Sequence, residues 1–178
     1  MPLLFSEPTA NNGVVGVWAI TESAAELEAM LALDNDDRTK LYSFQRETRR
    51  CEWLASRVVL KHIVGDDVKI GYQPNGAPFM VDQSGYISLS HTKGFAAAVF
   101  HPSKPTGIDI EYPSARVLKV SERFLSGQEM SFIPKKREMI YQTVIWCAKE
   151  ALFKWWGKSN VTFNTDLIID AFTCQHDK

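Results

Sequence analysis

Cysteine is scarce in this sequence: Cys51, Cys147 and Cys174 are the full set in 178 residues. An odd, scattered trio without metal-ligand spacing excludes a disulfide framework or a thiolate metal site as the organising feature, and reduced thiols suit a cytoplasmic protein. Long apolar runs are missing too. A bilayer span needs about twenty consecutive apolar residues and none is present, so no membrane partner is expected. Met1 to Gly13 has neither a basic n-region nor a long apolar core, so no signal peptide is expected. The formal net charge is only −1, which gives no electrostatic reason to expect nucleic acid or an acidic membrane surface. There is no internal repeat or low-complexity tract, and a monomer is expected.

What remains is enough for a packed core: 45% apolar residues, 11% aromatics and five tryptophans. Val14–Ile20 (VVGVWAI) reads as a buried strand. Ser23 with Glu26 forms a capping box for a short helix to about Leu33. Asp34 and Asp37 open a further long helix that runs to about Val64 and stops at Gly65. Gln73–Pro78 (QPNGAP) is a turn, and Tyr86–Ser90 with Phe95–Phe100 suggests a hairpin around His91–Gly94. His101–Thr106 (HPSKPT) is a linker. Beyond it Gly107–Glu111 (GIDIE) alternates as a strand, Val117–Leu125 is helical, and Ser126 with Glu129 makes a second capping box. Arg137–Gly157 is the clearest helix, with Ile140, Val144, Ala148, Ala151 and Trp155 as its expected core face. The expectation is α+β in two halves, residues 1–104 and 105–178.

Three groups of residues can carry chemistry. Asp109 and Glu111, two apart on the expected strand, would project their carboxylates from one face. Unpaired carboxylates that close suit a hard cation such as Mg²⁺. A solvated strand face is the plainer explanation for a lone D-x-E. On the helix WCAKEALFKWWGK, Trp146, Glu150 and Lys154 share a face at i, i+4 and i+8. Glu150 can be a third metal carboxylate and Lys154 a phosphate clamp, or the two form an ordinary surface ion pair. Ser90 and His91 end the strand ISLSH, where hydroxyl and imidazole can donate to phosphate; a half-buried structural histidine is the alternative. Arg38 to Lys61 holds seven Lys or Arg against two Glu. That excess is either a solvated helix face or a site for a polyanionic ligand.

The set SLSHT, GIDIE and WCAKEALFK, in that order and spacing, resembles the Sfp-type 4′-phosphopantetheinyl transferases, over roughly Val14 to Lys158. Arg123-Phe124 with Glu129 is similar to that family's segment in which an R-F pair precedes a glutamate. The resemblance implies the 4′-phosphopantetheinyl transferase fold, two similar α+β halves packed as a pseudo-dimer around a cleft. Against that pattern the second half would be short here, either pared down or truncated, with Asn164–Phe172 a candidate for its next strand. It implies transfer of 4′-phosphopantetheine from coenzyme A to a serine of an acyl or peptidyl carrier protein, with release of 3′,5′-ADP. Asp109, Glu111 and Glu150 would hold Mg²⁺. Lys40, Arg57, Ser90, His91 and Lys154 would bind coenzyme A, with Arg38 a further candidate. Lys149 and Glu150 match residues that assist deprotonation of the carrier serine. The family turn commonly reads G-K-P, and here it is Gly76-Ala77-Pro78. A non-catalytic relative that binds carrier protein or coenzyme A is the competing expectation.

Overall fold

The computed structural model describes residues 3–65 and 68–174. Among the described residues six strands and six α-helices follow one another. β1 (Leu3–Pro8) and β2 (Val14–Ala19) come first, followed by α1 (Ala24–Ala29), α2 (Asn35–Ser43) and α3 (Glu47–Val64). β3 (Ile70–Tyr72) and β4 (Pro78–Met80) flank the QPNGAP turn, and β5 (Tyr86–Thr92) and β6 (Phe95–His101) form the expected hairpin. α4 (Ala115–Lys119), α5 (Gly127–Phe132) and α6 (Glu138–Trp156) complete the order.

The main sheet has four antiparallel strands in the order β1-β2-β6-β5, and β3 and β4 pair separately. The β2/β6 register sets Gly16 opposite Ala98 and Trp18 opposite Ala96. Small residues there let α3 lie close on the sheet: a side chain on Gly16 would run into Val59 and Ile63 of that helix. Trp18, Leu54, Val58, Ile87, Ala96 and Ala98 belong to this first core. A second core forms around Phe124, Leu125 and Ile145, with Val117, Trp146, Phe163 and Phe172 packed against it.

Several sequence expectations are corrected. The single helix from Asp34 to Val64 is two helices, because Phe44 leaves the helical region at φ −78° and ψ 120°. Its carbonyl is then free to accept from Arg50 Nε at 2.8 Å, which fixes the break. Both capping boxes are present, at Ser23/Glu26 and Ser126/Glu129. Gly65 ends α3 at φ +92° and Gly157 ends α6 at φ +67°, conformations that side chains disfavour.

Gly107–Glu111 is extended but is not a ladder strand: its backbone hangs instead on serine hydroxyls. Ile108 N–H donates to Ser88 Oγ at 3.2 Å and Ile110 N–H to Ser90 Oγ at 3.3 Å. Asn164–Phe172 is not a strand either, and among the described residues every strand precedes residue 102. Among the described residues, those up to His101 thus carry a sheet with helices, and those from Ala115 onward carry helices without strands. The expected core face of α6 is also shifted. Ile140, Val144 and Trp155 are exposed, while Tyr141, Ile145 and Lys149 point inward. No helix among the described residues is long and apolar enough to cross a membrane.

Candidate active site

The end of β5, the 107–111 segment and α6 meet in one cleft. Gly107 makes the approach possible, since a Cβ there would overlap the Ala151 carbonyl oxygen and stand 2.9 Å from the Trp155 amide nitrogen. With the segment pressed on α6, Asp109 faces Lys154 at 2.8 Å, and the same Oδ1 accepts from Ser90 Oγ at 2.7 Å. Lys154 also donates to the Ile108 carbonyl at 2.9 Å. Glu111, exposed, accepts from Thr92 Oγ1 at 3.0 Å. Serine and threonine on β5 thus aim both carboxylates, two residues apart on each side.

Negative charge accumulates here. Burial, then the Asp109 carboxylate and more weakly Glu111, push the Glu150 carboxyl above its ordinary range, with Lys154 opposing. Cys147, one turn before Glu150 and Ala151, is pushed up to about 12 by burial and by the same two carboxylates. Asp109 Oδ2 is buried with no hydrogen-bond partner of normal geometry among the described residues, its nearest polar company being the Cys147 thiol, a weak donor. A buried, unsatisfied carboxylate oxygen among other carboxylates is costly unless a cation completes it. The donor set is therefore of the kind a hard cation takes. Among the described residues no three His, Cys, Asp or Glu side chains could enclose a metal ion unaided.

The cationic side of the cleft differs from the sequence expectation. His91 contacts the Arg49 guanidinium and lies 3.3 Å from Glu52, both on the first turns of α3. Burial, followed by the Arg49 charge, holds the imidazole below its ordinary value. Lys40 is exposed, its ammonium 5.4 Å from the centre of the Phe44 ring; Arg49 lies at the same distance from that ring. Lys40, Arg49 and His91 are thereby linked on the β5 side. Arg38 instead pairs with Glu28 at 2.7 Å.

Arg57 is not in this group. It is buried two turns further along α3, stacked on the Trp53 ring, bonded to Tyr72 Oη at 3.0 Å and paired with Asp37 at 3.6 Å. It borders a separate cavity of about 330 Å³ with Leu31, Leu60 and Lys69. Helical spacing decides this: residues 49 and 57 are eight apart, about 80° out of alignment on a 3.6-residue helix. Arg49 was the residue that sequence reasoning passed over. Its alignment with Glu52 at i+3 on the α3 turn entering the cleft was the signal available.

Lys149 is also elsewhere. It is fully buried, and its ammonium donates to the Phe124 carbonyl at 2.6 Å, Glu129 Oε2 at 2.7 Å and the Phe163 carbonyl at 2.8 Å.

Carboxylates with an unsatisfied oxygen, facing a lysine and flanked by hydroxyl, imidazole and guanidinium, are the equipment of a site that handles phosphate esters. Comparison with known proteins agrees. Residues 105–176 match the model of the 4′-phosphopantetheinyl transferase superfamily. The chain is 28% identical over 145 residues to the 4′-phosphopantetheinyl transferase HetI of Nostoc sp., an alignment covering 72% of this chain and 60% of that protein. It is 26% identical over 144 residues to psf-1 of Bacillus pumilus, covering 75% and 60%. With Sfp of Bacillus subtilis the identity is 25% over 140 residues, covering 72% and 62%; both of these are also 4′-phosphopantetheinyl transferases by name. The part of the chain from residue 105 onward is therefore similar to the 4′-phosphopantetheinyl transferase superfamily, and the longer alignments are to proteins of that name. The alignments span about 60% of the length of these curated relatives.

Proposed function

We propose that this cleft transfers 4′-phosphopantetheine from coenzyme A to a serine of an acyl or peptidyl carrier protein, releasing 3′,5′-ADP. The observation that carries the reading is the Asp109 carboxylate, held by Ser90 and Lys154 through Oδ1 while Oδ2 lies buried and unsatisfied. Asp109, Glu111 and Glu150 would hold Mg²⁺ with the pyrophosphate. When bound, the ion supplies charge neutralisation at the phosphate oxygens.

The protein's own residues do the rest. Lys154 offers an ammonium to the pyrophosphate, at the cost of loosening its hold on Asp109. Arg49, Lys40, Ser90 and His91 line the side suited to the nucleotide phosphates. An imidazole held neutral at rest takes up a proton as a phosphate arrives beside it, strengthening the contact. Glu150, on the side of α6 that faces Asp109, is the group we assign to deprotonating the carrier serine. The division of the chain near residue 104 is part of this reading. It is supported by the two separate cores, the first built from residues up to Phe100 and the second from Val117 onward.

Incubation with coenzyme A and Mg²⁺, with and without an apo-carrier, tests the proposal. Release of 3′,5′-ADP should require the carrier. Binding of coenzyme A without release in either case would instead identify a non-catalytic binding protein.

A further inference from the structure

Lys149 is followed directly by Glu150, yet the two side chains serve opposite sides of α6. Successive helical residues are rotated by about 100°. Lys149 turns inward and Glu150 toward Asp109. The inward group is completely enclosed: Lys149 and Glu129 are both fully buried, 2.7 Å apart. An ammonium has three hydrogens, and all three are spent, on Glu129 and on the carbonyls of Phe124 and Phe163. It has no lone pair to accept a proton and no N–H left for a ligand.

Glu129 is equally committed. Oε2 also accepts from the Ser126 amide at 2.7 Å, and Oε1 from the Ile169 amide at 2.9 Å. One ion pair therefore joins the cap of α5, the chain at 124, the chain at 163 and 169, and α6. Those contacts define the rotation of α6 about its own axis, and so the directions in which Glu150 and Lys154 leave it.

We propose that Glu129 and Lys149 are a positioning pair that sets the rotation of α6, and that Lys149 takes no part in proton transfer. This rests on the transferase reading of the cleft and replaces the role that the family resemblance implies for Lys149. Breaking the pair from one side leaves a buried unpaired charge; removing both charges does not.

The test compares Lys149→Met with the double variant Glu129→Gln/Lys149→Met, which buries no unpaired charge and in which the glutamine oxygen can still accept from one of the Ser126 and Ile169 amides. The single variant should lose on the order of 10 °C in Tm. It should also lose roughly tenfold or more in turnover, as misplaced groups do. The double variant should recover most of both, with the KM for coenzyme A and the pH profile of turnover as in the wild type. A double variant as stable as wild type but no faster than the single one would overturn the proposal, because the amine itself would then be needed. Failure to recover Tm would overturn it as well, because the loss would not come from unpaired charge.

A second measurement does not depend on any variant folding or on activity. Reductive methylation of the native protein, mapped by peptide mass spectrometry, should leave Lys149 unmodified with or without coenzyme A and modify it only after denaturation. Modification of Lys149 in the folded protein would contradict the pairing. If the wild type transfers nothing, the transferase reading fails while the methylation and Tm arms still decide the pair.

Discussion

Lys154 and Asp109 are 45 residues apart in sequence and 2.8 Å apart in the cleft, where they join α6 to the 107–111 segment. The segment has no ladder of its own, so this contact and two serine hydroxyls hold it in place. Lys154→Met should therefore lower stability by about 2 kcal/mol, the scale of a hydrogen bond to a charged group. It should also weaken coenzyme A binding. Thermal unfolding and calorimetric titration check the two effects; a loss of affinity with unchanged Tm would mean that the contact does not order the segment.

Glu150 is expected to trade stability for function. Its folded carboxyl is raised, by burial first and then by Asp109 and Glu111. For an acid shifted in that direction, stability is complete below the unfolded value near 4.5 and declines as pH rises through the folded one. Glu150→Gln should thus raise Tm at neutral pH, lose that advantage in acid, and abolish transfer. Added Mg²⁺ should stabilise the wild type more than the variant. A lower Tm for Glu150→Gln at pH 7 would count against the crowding of charge described for this cleft.

His91 works in the reverse sense. Its pKa is lowered from 6.5 by burial and by Arg49. The unfolded chain then binds the proton more readily, so this contribution to stability is full above pH 6.5 and falls as the pH drops below it. The decline in Tm between neutral pH and about pH 5 should be shallower in His91→Gln. Identical slopes in the two proteins would show that the imidazole is not held neutral.

Much of this cleft could be read from the sequence, and the failures have physical causes. Capping boxes, the glycine stops and the β5/β6 hairpin are local signals, carried by residues within a few positions of one another. That Asp109, Ser90 and Lys154 lie together, with Glu111 beside Thr92, was legible as a juxtaposition because motif spacing survives independently of how the segment is hydrogen-bonded. The 107–111 strand failed because a ladder requires a partner strand, which no alternation pattern can guarantee. The α6 core face failed because Glu129, 20 residues away, supplies a buried partner that makes Lys149 an interior residue. Arg57 leaves α3 on a different side from Arg49 by helical spacing alone, and Asp37 and Tyr72 then hold it there.

Gly107 offers a purely steric check. Any side chain there meets the backbone of α6 at Ala151 and Trp155, which cannot move aside as a flexible side chain would. Gly107→Ala should cost about 1–3 kcal/mol, as overpacking does. It should also reduce transfer more than the stability loss explains, since it lifts Asp109 away from Lys154. A variant with wild-type Tm and turnover would mean that the segment does not rest on the helix.

The carrier protein itself gives the most direct measurement. Apo-carrier incubated with this protein, coenzyme A and Mg²⁺, then examined by intact mass spectrometry, should gain the mass of one phosphopantetheine on its serine. It should gain none with Glu150→Gln or with the serine replaced by alanine. An unmodified carrier, under conditions in which a relative such as Sfp of Bacillus subtilis modifies the same preparation, would contradict the assignment of this cleft as a transferase site.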